Sequence, residues 1–326
     1  MKELVENEKT PEFNPVSHNP YNTLESGQGI YVDSVLATLN TMAKDNAINV
    51  ENIAKTMDYV FGREDSPYQL SLAKRPTGEG KPDKPTEGPW ITKCIIKAIA
   101  NRNEGKIPSG SEECVDGDGF FFGLPAFLAT LNWEDGCEVS QITTLKDSVT
   151  MDNIMTQFKL LFNELFGIPH AINATTHDRD IETFFPVVAE DMKKVIDETK
   201  LHNTESLNQL AKKYGLSCVM PDAFKSELAV LLMTSDFKTA IRRNILAAGD
   251  ISSRGAFIGA VYGAKEGMKV IPVEWMKQVS GIKDILKKAV KVFSADIKSI
   301  NPIDGSESMK YLVHKKNGKS VIIETQ

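Results

Sequence analysis

Apolar residues return every three or four positions along most of this chain, and that period belongs to helices rather than strands. Val35, Leu36, Leu39 and Met42 keep it behind Asp33-Ser34, either of which can cap a helix start. Val50, Ile53, Ala54, Met57, Val60 and Phe61 keep it between Asn49 and Gly62. Residues 91–100 read as another helix. So do Met151, Ile154, Phe158, Leu161 and Leu165, ahead of Gly167 and Pro169. The period continues through Ile181, Phe184, Val188, Met192 and Val195, through Leu207 to Tyr214, and through residues 228–233 and 240–246. One stretch alone reads as strand. Tyr311 to Ile323 has two apolar arms about Asn317-Gly318, the signal of a tight hairpin. A lone hairpin needs a body to pack on. The expectation is an all-α bundle with a C-terminal β-hairpin.

The 326 residues divide unevenly. Residues 1–30, punctuated by Pro11, Pro15, Pro20, Gly27 and Gly29, read as an extended arm. Residues 31–290 read as one helical domain, because no Pro- or Gly-rich stretch separates two cores. Residues 291–326 form an extension carrying the hairpin. Residues 74–90 are a long loop. Its Gly78-Glu79-Gly80-Lys81 fails as a phosphate loop, since Pro82 stands where a magnesium-binding Ser or Thr belongs.

A net charge of −6 argues against nucleic acid and anionic membrane surfaces, which call for clustered Lys and Arg. The longest run without a polar side chain, Phe120 to Ala129, contains Gly123 and Pro125 and falls short of the roughly 20 residues of a membrane span. The N-terminus is charged and lacks a signal-peptide core. Cys94, Cys114, Cys137 and Cys218 stand far apart with no metal or redox spacing, so four reduced thiols in a cytoplasmic protein are expected. His170 and His177 lie among residues that break helices and do not form a zinc pair. Phe120, Phe121, Phe122 and Phe127 read as core.

The most specific stretch runs from Ser235 to Trp275. It reads as helix, tight Gly249-Asp250 turn, then a helix with Gly255, Gly259 and Gly263 on one face. Glycine inside a helix costs about 1 kcal/mol against alanine, so three of them suggest a closely approaching helix. Asp250, Ser252 and Ser253 place oxygens at a helix start, where they can serve as a cap or as ligands.

This stretch resembles the C-terminal signature of the ADP-ribosylglycohydrolase superfamily: Gly-Gly-Asp-Thr-Asp-Thr, a Gly/Ala-rich helix, then Ile-Pro-x-x-Trp. The last element is present as Ile271-Pro272-Val273-Glu274-Trp275. Gly27 to Ser34 is similar to the element in which active members carry Thr-Asp-Asp-Thr. Gly110-Ser111 through Gly117-Asp118-Gly119 and Pro125 is similar to the element carrying Gly-Asn-Gly and Met-Arg. The resemblance implies an all-α orthogonal multi-helix bundle. In active members two magnesium ions sit between the first and last motifs and activate water for glycosidic cleavage. Carried over, Asp33, Asp250 and Ser253 are the metal residues, and Asp118 and Gly119 the ligand-binding residues.

The departures are as informative. Tyr31 and Val32 replace the first Thr-Asp, Ser252 replaces the second C-terminal Asp, and Phe122-Gly123 replaces Met-Arg. Two of four motif carboxylates are gone, so no catalytic residue is assigned, and one weakly held magnesium is the most the site should take. The Gly-Asp-Ala-x-Gly helix that opens active members has no match in residues 1–26. Gly249-Asp250-x-x-Ser253-Arg254 is similar to the J-type crystallins of jellyfish lenses and the selenoprotein J group. The resemblance implies a structural lens protein on a degraded hydrolase fold, with no cofactor, self-association, and no nucleic-acid or membrane partner. The other reading is a magnesium-dependent ADP-ribosyl hydrolase, or an ADP-ribose-binding protein with a remodelled site.

Overall fold

Helix α1 (Ile30–Asp45) starts earlier than Asp33-Ser34 would cap it. Gly29 is its N-cap and contributes no side-chain bond. Ile30 and Tyr31 are buried, and packing extends the helix over them. Tyr31, Val32 and Asp33 therefore share its first turn. These and the following descriptions come from a computed structural model that describes residues 22–23, 29–74, 86–166, 189–201, 212–293, 297–302, 309–315 and 320–325. The extended arm, the glycine loop after Lys74, and the segments around His170 and Leu207 lie outside the described residues, apart from β1 (Asn22–Thr23).

Asn49 caps α2 (Val50–Met57), its side chain accepting from the Asn52 amide at 3.0 Å. The chain then widens into a π-turn, Asp58–Gly62, and closes at Gly62 as expected. Next come α3 (Pro67–Ala73), capped by Ser66, and α4 (Lys93–Asn103), capped by Thr92. Between them β2 (Thr86–Glu87) pairs parallel with β1. Helix α5 (Asp118–Thr130) forms over the apolar run Phe120 to Ala129, which the pattern alone did not mark as a helix. It tolerates Gly119, Gly123 and Pro125 because Phe120, Phe121, Phe122 and Phe127 are all buried. Each is worth about 1.5–3 kcal/mol of burial, more than the local helix penalty of a glycine.

Helix α6 (Trp133–Ser140) folds back on α5. A Cβ on Gly123 would stand 2.3 Å from the Gly136 carbonyl oxygen, and one on Gly136 would stand 2.8 Å from the Phe158 ring. Here two helix backbones meet. Helix α7 (Val149–Phe166) brings Phe158 between Phe120 and Phe127, with ring centroids 5.3 and 5.1 Å away. Helices α8 (Ala189–Leu201), α9 (Asp222–Leu232), α10 (Phe237–Leu246) and α11 (Ile251–Glu266) follow. Phe257 of α11 meets Phe120 edge-on at 5.5 Å, which ties α11 to the same aromatic core. The glycine stripe of α11 does not do what its spacing suggests. A Cβ on Gly255 would lie 3.2 Å from Asn244 Nδ2, a side chain of α10 and not a helix backbone; one on Gly259 would find only the Phe237 ring, at 3.8 Å, and one on Gly263 would find nothing within 4 Å. The half-turned face it occupies is partly exposed, and the close approach lies on α5 and α6 instead.

Helices α12 (Val273–Gln278) and α13 (Ile282–Phe293) complete the helical part. Three strands, β3 (Ile297–Pro302), β4 (Met309–Lys315) and β5 (Ser320–Thr325), then form an antiparallel sheet in that order. The β4–β5 hairpin forms as expected but one residue out of the register of a two-residue Asn317-Gly318 turn, which would set His314 opposite Val321: His314 lies opposite Ser320 and Val313 opposite Val321, and residues 316–319 lie outside the described residues. Strand β3 was not legible in the pattern. The fold is all-α with this small sheet added. No described helix is long and apolar enough to cross a membrane.

Candidate functional site

The N-terminal turns of α1 and α11 meet. Asp250 caps α11: its Oδ1 accepts from the Ser253 amide at 3.2 Å, and its Oδ2 accepts from the Tyr31 hydroxyl at 2.5 Å. The Ser253 hydroxyl turns back to the Asp250 carbonyl at 3.3 Å. Burial first, and then the charge of Asp250, hold the Tyr31 hydroxyl far above its ordinary pKa, so it acts as a proton donor. Asp33, two residues along α1, accepts from the Tyr68 hydroxyl of α3 at 2.5 Å. Burial holds its carboxyl above the ordinary carboxylate range, and the Tyr68 bond offsets only part of this. Val32, between them, is exposed.

The turn before Asp250 is strained and heavily braced. Ala248 and Gly249 have φ of 64° and 76°. A Cβ on Gly249 would lie 2.1 Å from the Leu216 carbonyl oxygen, which accepts the Asp250 amide at 2.6 Å. Arg254, with no exposed surface, wraps this turn from beneath. Its Nε donates to Asn244 Oδ1 at 3.0 Å, and its two terminal nitrogens donate to the carbonyls of Leu216 and Ala248. Burial lowers the guanidinium's pKa, while Glu227 and Asp250 favour its charge. Glu227, buried in α9, is bonded by Gln157 Nε2 at 2.8 Å. Its carboxyl is raised by burial and lowered by Gln157 and Arg254.

A second acidic group lies beside the first. Asp118 opens α5 and is 1 % exposed. The Thr92 hydroxyl, which caps α4 by accepting from Ile95, donates to Asp118 Oδ2. Burial pushes the Asp118 carboxyl up to about 8; the Thr92 bond opposes this, and the charges of Asp116 and Asp250 add to it. Asp116 is placed by a short antiparallel contact of residues 115–117 with 218–220, in which the Met220 amide donates to Val115 and the Gly117 amide to Cys218. The Cys218 thiol bonds the Asp116 carboxylate. Cys94 and Cys114 are joined as a disulfide, which corrects the expectation of four reduced thiols. Chain separation hid the pairing: α4 and the loop before α5 bring residues 20 apart in sequence to a Cα separation of 4.9 Å.

Of the sequence-derived residues, Asp250 and Ser253 are together, in a capping arrangement. Asp33 is one α1 residue pair away and tied to α3. Asp118 is buried near Asp116. Gly119 is a packing point: a Cβ there would lie 2.4 Å from Thr144 Oγ1, and its carbonyl accepts from Ser140 Oγ at 2.8 Å. The set does not fit two magnesium ions. A pair of hard divalent cations needs a near-octahedral oxygen shell with several carboxylates. Here both Asp250 oxygens and one Asp33 oxygen are taken by protein donors, and Arg254 already supplies positive charge beneath the turn. Tyr68, Thr92, Asp116 and Glu227 escaped the sequence reading. Glu227 had a local signal, a single acid inside the mostly apolar stretch Ala223 to Leu232. Asp116-Gly117-Asp118 offered a second.

Comparisons with known proteins agree with this layout. Residues 156–300 match the family model described as ADP-ribosylglycohydrolase. Crystallin J1A of Tripedalia cystophora is 25% identical over 296 residues, covering 88% of this chain and 86% of the relative. Crystallin J1B of the same animal is 22% identical over 305 residues, covering 90% and 87%. A solved structure titled ADP-ribosylglycohydrolase-related protein complex superposes with a TM-score of 0.56 at 12% identity, covering 82% of this chain and 81% of that one. That likeness is one of fold.

Proposed function

From a chain whose relatives lie in the ADP-ribosylglycohydrolase superfamily and among the jellyfish J-crystallins, we propose a crystallin-like structural protein on a hydrolase fold that no longer hydrolyses. The observation that carries this is the occupancy of its surviving acids. Tyr31 stands where active members have Thr, and its hydroxyl sits on Asp250; the hydroxyl of Tyr68 sits on Asp33. Val32 and Ser252, at the positions of the two other motif acids, offer no carboxylate. Removing charged ligands removes the ion that would activate water. At most one weakly held magnesium remains for this cleft, and no cofactor is required. The interspersed charges and net −6 suit a protein kept dissolved in a cytoplasm at high concentration, free of nucleic acid and membranes.

The test is release of ADP-ribose from modified arginine, from modified serine and from acetylated ADP-ribose, with and without magnesium. No turnover is expected. Magnesium-dependent turnover that disappears in a folded Asp250→Asn variant would replace this reading with the enzyme. The lens role is tested by the protein's share of soluble lens protein against other tissues; a trace amount there would count against it.

A further inference from the structure

Around Asp116 the chain gathers more donor atoms than the cleft uses. Among the described residues, Cys94, Asp116 and Asp118 form the one trio of His, Cys, Asp or Glu whose ligand atoms all lie within 4.8 Å of one another. Cys94 Sγ is 3.7 Å from Asp116 Oδ2. A tetrahedral zinc ion, bound to sulfur at about 2.3 Å and to oxygen at about 2.1 Å, holds its sulfur and oxygen ligands about 3.6 Å apart. The Cys218 thiol bonds the same carboxylate. Cys94 and Asp118 are each at most 2 % exposed and Asp116 is half-buried, so two of the three donors are already withdrawn from water, and all three are held by α4, α5 and the 115–117 contact. Asp118 meets a hydroxyl and other carboxylates there, with no basic group acting on it. A buried carboxylate so placed is neutralised either by a proton or by a cation.

We propose that opening the Cys94–Cys114 disulfide converts this cluster into a zinc site, with Cys94, Asp116 and Asp118 as ligands and Cys218 beside the fourth position. Two equivalents of a thiol open the bond. The first attacks one sulfur and forms a mixed disulfide; the second displaces it and leaves as the thiol's own disulfide. The protein pair gains two electrons and two protons. Zinc then takes the Cys94 thiolate, and the thiol proton passes to solvent. Mixed sulfur and oxygen donors at tetrahedral distances favour zinc over magnesium, which wants six oxygens. The site adjoins the Asp33–Asp250 group through the Tyr31–Cys218 contact but uses none of its acids, and it stands whether or not that group hydrolyses anything.

The experiment uses the full chain with zinc alone, and cobalt as the spectroscopic probe. Protein reduced by a water-soluble phosphine is expected to bind one zinc more tightly than the oxidised protein by at least the roughly 10–100-fold that even an outer-shell partner is worth, because a thiolate ligand is gained. The cobalt form should show a thiolate-to-metal charge-transfer band. Cys114→Ser leaves Cys94 as a free thiol, so it should bind zinc with no reductant present. Cys94→Ser and Asp116→Asn should lose the binding, with circular dichroism confirming the helical fold. Equal affinity in both redox states would overturn the proposal, as would a Cys94→Ser protein that keeps the charge-transfer band, or a folded Cys114→Ser protein that binds no zinc.

Discussion

The two acidic groups of this molecule are neighbours built on opposite terms. Asp250 and Asp33 each accept a tyrosine hydroxyl, and the Asp250 turn rests on a buried guanidinium. Asp116 and Asp118 have a hydroxyl, a thiol and each other. The first group has its carboxylate oxygens held by hydroxyl and backbone donors. The second keeps a carboxyl whose burial holds it neutral until the pH approaches 8. The difference shows two ways of keeping a partly or fully buried acid: Tyr31 donates to the Asp250 carboxylate and Arg254 braces the turn that carries it, whereas Asp118 is met by one hydroxyl and further acids.

The largest expected effect tests the bracing. Arg254→Met leaves Asn244 Oδ1 and the carbonyls of Leu216 and Ala248 without their donor and removes the positive charge that acts on Glu227. Breaking a buried charged network in this way costs about 3–5 kcal/mol. Urea unfolding should show that loss, and Glu227→Gln in the same chain should restore part of it. A loss under about 1 kcal/mol would mean that Arg254 does not hold the Asp250 turn.

The next effect tests the second group through pH. The folded Asp118 pKa, near 8, lies above the ordinary carboxylate value of about 3.9 of the unfolded chain. Between those values the folded state binds the extra proton, so stability from this group is full below the unfolded value and falls as pH rises toward 8. Asp118→Asn keeps an acceptor for Thr92 and removes the titration. It should flatten the stability profile between about pH 4 and 8 and leave the variant more stable at pH 8, by an amount on the order of a few kcal/mol. A variant whose profile parallels the parent's would show that Asp118 titrates normally.

The smallest effect returns to the first group. Ala248 holds φ of 64°, a region that costs an L-residue roughly 1 kcal/mol and costs glycine almost nothing. Ala248→Gly is expected to raise stability by up to about 1 kcal/mol, seen as a higher urea midpoint at unchanged slope. A destabilised variant would mean that the Ala248 methyl contributes more by packing than it costs in strain.

The amino-acid pattern alone determined the helical class, most of the long helices, the C-terminal hairpin and the Gly249-Asp250 turn. Those features rest on contacts between residues close in sequence: a 3.6-residue period, a cap two or three residues from its amide, an Asn-Gly turn. Helix α5 was lost to the same reasoning. Its glycines and proline argue locally for a loop, while its phenylalanines are rewarded only by Phe158 and Phe257 from distant helices. The α11 glycines mislead in the opposite sense, since spacing marks a face without saying what lies against it. The site divides in the same way. Asp33, Asp118, Asp250 and Ser253 were legible as members of motifs. That Tyr31 would cover Asp250 across 219 positions, that Tyr68 would cover Asp33, and that Cys94 would join Cys114 beside Asp116 was decided by tertiary packing. A hydroxyl or thiol acts on a carboxylate only within about 3–4 Å, and no one-dimensional spacing encodes which helices deliver it there.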